Sequence, residues 1–371
     1  MRFLGRGGVS TPPLPVSLLG VSALGLLPLL LIVLAFAGCG GDEQSAGTTT
    51  ATHPAGTTTR AGAPVLKIGL VTDIGGLDDR SFNFLANKGL QRAESELGVQ
   101  GRVVVSKSNA DYVPNLSSLA SKKYDLVIGV GFLMADAVGV VAKQFPDVRF
   151  AIVDFAQQDL KAKPANVRGL LFKEQEAGYL VGYLAGLLVK REAGSRQVVG
   201  SVGGQKIPPV DRYIAGYRAG ARAANPGIET LNAYSQDFVD QAKCKEVALD
   251  QIGRGARVIF QVAGQCGLGA LSAAQEKNVR GIGVDADQAF LGKHVLTSAL
   301  KKVDVAVFQT IQSVQDGSFE GGSDTVFDVA SGGVGLGEIA SDVPADLVSQ
   351  LNRVQDRIAA GGIKNIPETV K

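Results

Sequence analysis

Three carboxylates, a glycine pair, an aromatic ring and an amide stand within one short stretch, VTDIGGLDDRSFN, from Val71 to Asn83. Asp73 closes an apolar run, Gly75 and Gly76 permit a sharp turn, and Asp78 and Asp79 precede Ser81, Phe82 and Asn83. Carboxylates accept hydrogen bonds and an aromatic ring offers a flat apolar plate, so the set suits a planar polar ligand. Each residue also has a plainer reading. Phe82 shares a helical face with Leu85, Ala86 and Ala93, which is equally the pattern of a core side chain. Asp73 also serves as a strand terminator, and Asp78 or Asp79 as a cap for a helix from Arg80 onward.

Other chemistries find little support. Of the two histidines, His53 lies in a polar tether and His294 stands alone, so no Ser–His or Cys–His couple is visible. No Cys or His spacing suits zinc. The pairs Asp78–Asp79 and Asp285–Asp287 lack the regular ligand spacing of a calcium loop. The run GGVGLG at Gly332–Gly337 lacks the following helix that a dinucleotide fingerprint requires, and there is no Walker Lys-Ser/Thr box. No metal and no cofactor are expected. Once Arg2 and Arg6 are assigned to a leader, the 37 Lys and Arg fall level with the 35 Asp and Glu. A neutral body argues against a nucleic-acid groove, which needs clustered basic residues.

The elements that must position the candidates follow a leader and a tether. Residues 1–38 read as a targeting segment, with Arg2 and Arg6 as its basic head and an apolar run densest in LLPLLLIVLAFAG. LAFAGC followed by GGDEQ resembles a bacterial lipobox: Ala37, Gly38 and Cys39 match, and Phe36 stands where Leu, Val or Ile is usual. Cleavage would leave a lipidated Cys39; the alternative is an uncleaved anchor, and both place the body outside the cytoplasm. Residues 39–64 follow as a tether whose Gly, Ser, Thr and Pro bury too little surface to offset ordering entropy.

From Val65 onward, short Val- and Ile-rich strands such as LKIGLVT, DLVIGV, RFAIVD, VRGLLF, RVIFQVAG and HVLTSAL alternate with helical patterns. That alternation implies buried parallel strands joined by right-handed crossovers, in more units than one sheet comfortably holds. The reading is α/β: two lobes, each a doubly wound parallel sheet flanked by helices. Phe327–Ala340 is expected to form a last strand and loop, and Val343–Ala360 a closing helix. Ligands of open α/β sheets bind beyond the carboxyl ends of strands, which is where VTDIGG falls. Cys244 begins a helix and Cys266 follows the next strand, so both lie on one side of a sheet. Outside the cytoplasm a bridge between them is favoured over two buried thiols.

The stretches GLVTDIGGLDDRSFN, EAGYLVGYLAG, AGYRAGARAANP, GVDADQ and VLTSALKKVDVAVF, in this order, resemble the basic membrane protein family. These are nucleoside-binding lipoproteins of ABC importers, including the purine nucleoside receptors. The resemblance runs from Lys67 to the C-terminus. It implies the type I two-lobed periplasmic-binding-protein fold with a three-strand hinge, and a monomer anchored to the cell membrane that serves an ABC permease. It implies a lobe of residues 65–172 plus about 296–325, and a second of 173–295 plus about 326–371. It implies a purine held between Phe82 and a ring of the other lobe, with Asp73 and Asn83 at the base, Asp154 and Asp285 at the ribose, and Lys301 as their cationic partner. Phe238 in YSQDFVD is the choice for the second ring, with Tyr234 its competitor. AGQCG departs from the family's Gly-rich turn and brings Gln265 and Cys266 near the site. Asp285 and Lys301 also read as a structural ion pair across the hinge, and Asp287 as a surface acid. Two other functions stand beside the nucleoside receptor: a sugar or small-metabolite receptor or sensor on the same fold, and a nucleoside hydrolase. The last would have to work with a lone carboxylate.

Overall fold

The structure, a computed structural model, describes residues 65–371 apart from Ala193 and Ser195. The expected leader, Cys39 and the tether lie outside the described residues. From the start of this body the chain lays down β1 (Lys67–Val71), α1 (Phe82–Leu97), β2 (Gln100–Val104), α2 (Tyr112–Ser121), β3 (Leu126–Gly129), α3 (Ala135–Gln144), β4 (Arg149–Val153) and β5 (Val167–Phe172). It then continues as α4 (Glu174–Glu192), β6 (Val198–Gly203), α5 (Pro208–Ala224), β7 (Glu229–Tyr234), α6 (Gln241–Gly253), β8 (Val258–Val262), α7 (Gly264–Glu276), β9 (Arg280–Asp285) and β10 (Val295–Lys301). The last elements are α8 (Val303–Gln315), β11 (Ser323–Phe327), β12 (Val334–Leu336) and α9 (Ala345–Ala359).

These strands form two six-stranded sheets, ordered β11-β5-β4-β3-β1-β2 and β12-β10-β9-β8-β6-β7. Every pairing is parallel except β12 against β10. The central strands are covered on both faces and are largely apolar: β3 and β8 are buried at every position. In the first lobe α1 and α8 fill one face of the sheet and α2 and α3 the other. In the second, α4, α5 and α9 cover one face and α6 and α7 the other. Helices α4 and α5 approach closely because small residues line both. A Cβ on Gly182 would come within 2.0 Å of the Tyr217 carbonyl oxygen, which gives EAGYLVGYLAG a packing reason for its glycines.

The chain passes between sheets three times: from β5 into α4, from β10 into α8, and from β11 to β12. The crossings brace one another, with the Lys173 N–H donating to Phe327 and the Lys302 N–H to Gly333. One expectation needs adjustment here. Strand β10 belongs to the second sheet, so the return to the first lobe falls after Lys301 rather than near 296. The expected last strand within Phe327–Ala340 is β12; β11, which precedes it in the other sheet, was not identified from the sequence. Strand β11 lies on an edge and alternates between half-buried and exposed residues up to the buried Phe327, so it carries little of the apolar signal of a central strand. Cys244 and Cys266 are bridged, with Cα atoms 5.5 Å apart, between the first turns of α6 and α7.

Candidate ligand-binding cleft

The carboxyl ends of both sheets face one cleft, a cavity of about 620 Å³ including its mouth. It is lined from the first lobe by Asp73, Phe82, Asn83, Phe132 and Asp154, and from the second by Tyr213, Phe238, Val262, Asp285 and Lys301, among others. All seven residues expected from the sequence, Asp73, Phe82, Asn83, Asp154, Phe238, Asp285 and Lys301, reach this one cavity. Tyr234 does not line it; its hydroxyl donates to Asp211 at 2.6 Å. Neither Gln265 nor Cys266 lines it either, since Val262, Ala263 and Gly264 form that part of the wall.

Asp73 lies two residues beyond β1, where its Oδ1 accepts from the Ile74 N–H at 2.7 Å and from the Tyr112 phenol. Its Oδ2 stands beside Gly131, where an added Cβ would fall 2.5 Å away; Gly131, at φ 115°, leaves that space open. Burial raises the Asp73 pKa, opposed by the Tyr112 and Ile74 hydrogen bonds. Asn83 is largely engaged within the protein: Oδ1 accepts the Asp73 N–H at 2.9 Å and Nδ2 donates to Asp79 at 3.2 Å. Asp79 caps the start of α1, taking the N–H groups of Ser81, Asn83 and Phe84 at 2.7–3.0 Å. Its burial raises its pKa against those bonds.

Asp154 follows β4, Asp285 ends β9 and Lys301 ends β10, and both acids hold left-handed backbone, at φ 72° and 59°. Non-glycine residues enter that region at an energetic cost and do so disproportionately at functional sites. Lys301, buried, places Nζ 2.6 Å from Asp154 Oδ1 and 2.9 Å from Glu174 Oε1. The expected Asp285–Lys301 ion pair across the hinge is therefore replaced. Asp285 and Lys301 end neighbouring strands of one sheet, with Asp285 opposite Leu300, and it is Asp154 that reaches the ammonium from the other lobe. Burial alone would lower the Lys301 pKa; the fields of Asp154, Glu174 and Asp285 outweigh it and hold the ammonium charged. Nζ lies 5.1 Å from the Phe82 ring centroid, a cation–π distance.

Burial lifts Asp285 to about 6, against the stabilising field of Lys301 and a hydrogen bond from Ser81. The Tyr213 phenol donates to its Oδ1 at 3.2 Å. Glu174, fully buried, is also raised by burial, opposed chiefly by Lys301. Three carboxylates around one buried ammonium make a site rich in acceptors, suited to groups that bring their own O–H or N–H donors. Asp287, by contrast, is exposed and fastens a loop by accepting the Glu338 N–H at 2.8 Å.

Phe132, Tyr213, Glu174 and Ser81 were not identified from the sequence. Phe132 stands just past the end of β3, in GVGF, so the strand-end rule that singled out Asp73 also points to it. Glu174 looks like any acid in the first turn of a helix, and nothing local marks it as the partner of Lys301.

Two mostly parallel sheets joined by three crossings, with an acid-rich cleft between their strand ends, define a two-lobed substrate-binding protein. Solved structures agree. A solute-binding protein of an ABC transporter system from Aeropyrum pernix superposes with a TM-score of 0.75 at 28% identity, covering 82% of this chain and 94% of that one. A counterpart from Conexibacter woesei gives a TM-score of 0.65 at 27% identity, covering 83% and 100%. Over residues 66–368 the sequence matches, and the chain belongs to, the family described as "ABC transporter substrate-binding protein PnrA-like"; it is a binding component, not an enzyme. Its relatives include the "CD4+ T-cell-stimulating antigen" of Listeria monocytogenes, 36% identical over 81% of this chain and 88% of the relative. The "ABC transporter nucleoside-binding protein BmpA" of Lactococcus lactis is 35% identical over 73% and 81%.

Proposed function

We propose that this protein captures a nucleoside, a purine nucleoside in the first instance, between its lobes outside the cytoplasm and delivers it to an ABC importer. The observation that carries the reading is that Phe82 of one lobe and Phe238 of the other line the same cavity as the Asp154–Lys301–Asp285 cluster. A planar base fits between two rings, and vicinal ribose hydroxyls are donors to carboxylates and acceptors from an ammonium. Asp73 and Asn83 are the base-edge contacts. The relative named as a nucleoside-binding protein supports the same assignment. Magnitudes are sufficient: about 1–3 kcal/mol per stacked face and roughly 1.5–3 per hydrogen bond to a charged group. Two faces and three such bonds give about 6–15 kcal/mol, which spans the roughly 8–12 kcal/mol of a micromolar-to-nanomolar site before ordering costs.

In this reading the chain acts as a monomer held at the membrane through a lipid on Cys39, with residues 39–64 as the tether. Ligand bridging the lobes favours the closed state through its differential contacts, and the closed form docks on the permease. Calorimetry over nucleosides, free bases and pentoses, with chromatography of the recovered ligand, tests it. Stoichiometric, unaltered inosine or guanosine is the expected result. Retention of ribose but no nucleoside would make the protein a sugar receptor.

A further inference from the structure

Two consecutive residues of the first lobe reach across the cleft. The Ser81 hydroxyl donates to Asp285 Oδ2 at 2.9 Å, with the Val284 carbonyl oxygen 3.1 Å away. The Arg80 guanidinium lies 5.7 Å from the ring centroid of Phe290 at the exposed rim. Both issue from the turn ahead of α1, which adjoins α7 of the second lobe. That turn is braced to present them: Asp79 binds the Ser81, Asn83 and Phe84 N–H groups, and Arg80 is held at φ 51°. A serine at the head of a helix ordinarily turns its hydroxyl back onto that helix's own N–H groups. Ser81 occupies the N-cap of α1 and makes no such bond; its buried hydroxyl engages the opposite lobe instead.

We propose that Ser81 is a positioning residue of the receptor, a clasp that holds the lobes closed and so sets how slowly bound ligand departs. A bond formed only when the lobes meet stabilises the closed state and contributes nothing to the first encounter with ligand, so its effect falls on dissociation. By gripping Asp285 from the far side, it also ties closure to an acid of the proposed ribose site. The inference rests on the nucleoside reading for its choice of probe.

The test compares the full chain with Ser81→Ala, using stopped-flow binding of inosine and small-angle scattering before ligand is added. The dissociation rate rises about tenfold, the association rate stays within about twofold, and the radius of gyration increases. Arg80→Ala raises dissociation by about two- to threefold. Asp285 is otherwise faced by Lys301, Asp154, Asp79 and Tyr213, so losing the Ser81 bond moves the acid limb of the affinity profile to higher pH. A serine that merely packed would leave that limb in place. Unchanged dissociation, radius and acid limb in Ser81→Ala overturn the proposal. Should that variant not fold, unchanged dissociation and radius in Arg80→Ala do the same. If the wild type retains neither inosine nor guanosine, the nucleoside reading fails by itself, and equal radii for the wild type and Ser81→Ala then overturn the clasp.

Discussion

Lys301 Nζ, at the end of β10 in the second lobe, lies 2.6 Å from Asp154 Oδ1, just past β4 in the first. Both side chains are buried, and Glu174 completes the cluster at 2.9 Å. The contact joins the two sheets at the floor of the cleft. It makes the ammonium a structural element of the closed molecule as well as a candidate ligand contact.

Replacing Lys301 by Met should therefore do two things. It leaves Asp154 and Glu174 buried without their cation, and breaking a buried pair from one side costs about 3–5 kcal/mol. Urea denaturation of ligand-free protein should show that loss, and nucleoside binding should weaken in parallel. A variant as stable as the wild type would show that the acids find compensation elsewhere.

The two rings should behave differently from the lysine. Phe82→Ala and Phe238→Ala are each expected to weaken purine nucleoside affinity about ten- to a hundredfold, one stacked face being removed in each. Tyr234→Phe removes a hydroxyl that donates to Asp211 away from the cavity, and should leave affinity within about twofold. Calorimetric titration of the three variants with inosine checks this; a Phe238→Ala variant that binds as tightly as Tyr234→Phe would sink the assignment of Phe238.

Asp285, raised by burial to about 6, sets opposite trends for stability and binding. The folded protein holds this proton more tightly than the unfolded chain, so its contribution to stability is present at low pH and is lost as pH rises from about 4 through 6. Ligand hydroxyls donate to the ionised form, so affinity should fall below about pH 6, approaching tenfold per unit. Titrations with inosine from pH 5 to 8 check the slope. Asp285→Asn should bind more weakly and lose this step.

The bridge between Cys244 and Cys266 closes a loop with a sequence separation of 22. On the chain-entropy account, Cys244→Ser with Cys266→Ser should lower unfolding free energy by roughly 3 kcal/mol. The Phe238 carbonyl oxygen accepts the Cys266 N–H at 3.0 Å, so the unbridged protein should also bind nucleoside less tightly. Chemical denaturation with and without reductant measures the first effect.

The alternation of apolar runs with amphipathic helices was enough to determine the layers, since a strand covered on both faces must be apolar along its whole length. The strand-end acids Asp73, Asp154 and Asp285 could be placed for the same reason: where the apolar run stops, the chain leaves the sheet at the ligand-bearing edge. The tertiary structure alone decided which charges meet. Asp154 reaches Lys301 from 147 positions earlier in the chain, and Ser81 reaches Asp285 across a separation of 204. Glu174, not Asp285, became the second partner of the ammonium. Periodicity reports the face on which a residue lies, whereas such pairings depend on how two sheets are brought together by three crossings, and no local pattern encodes that distance.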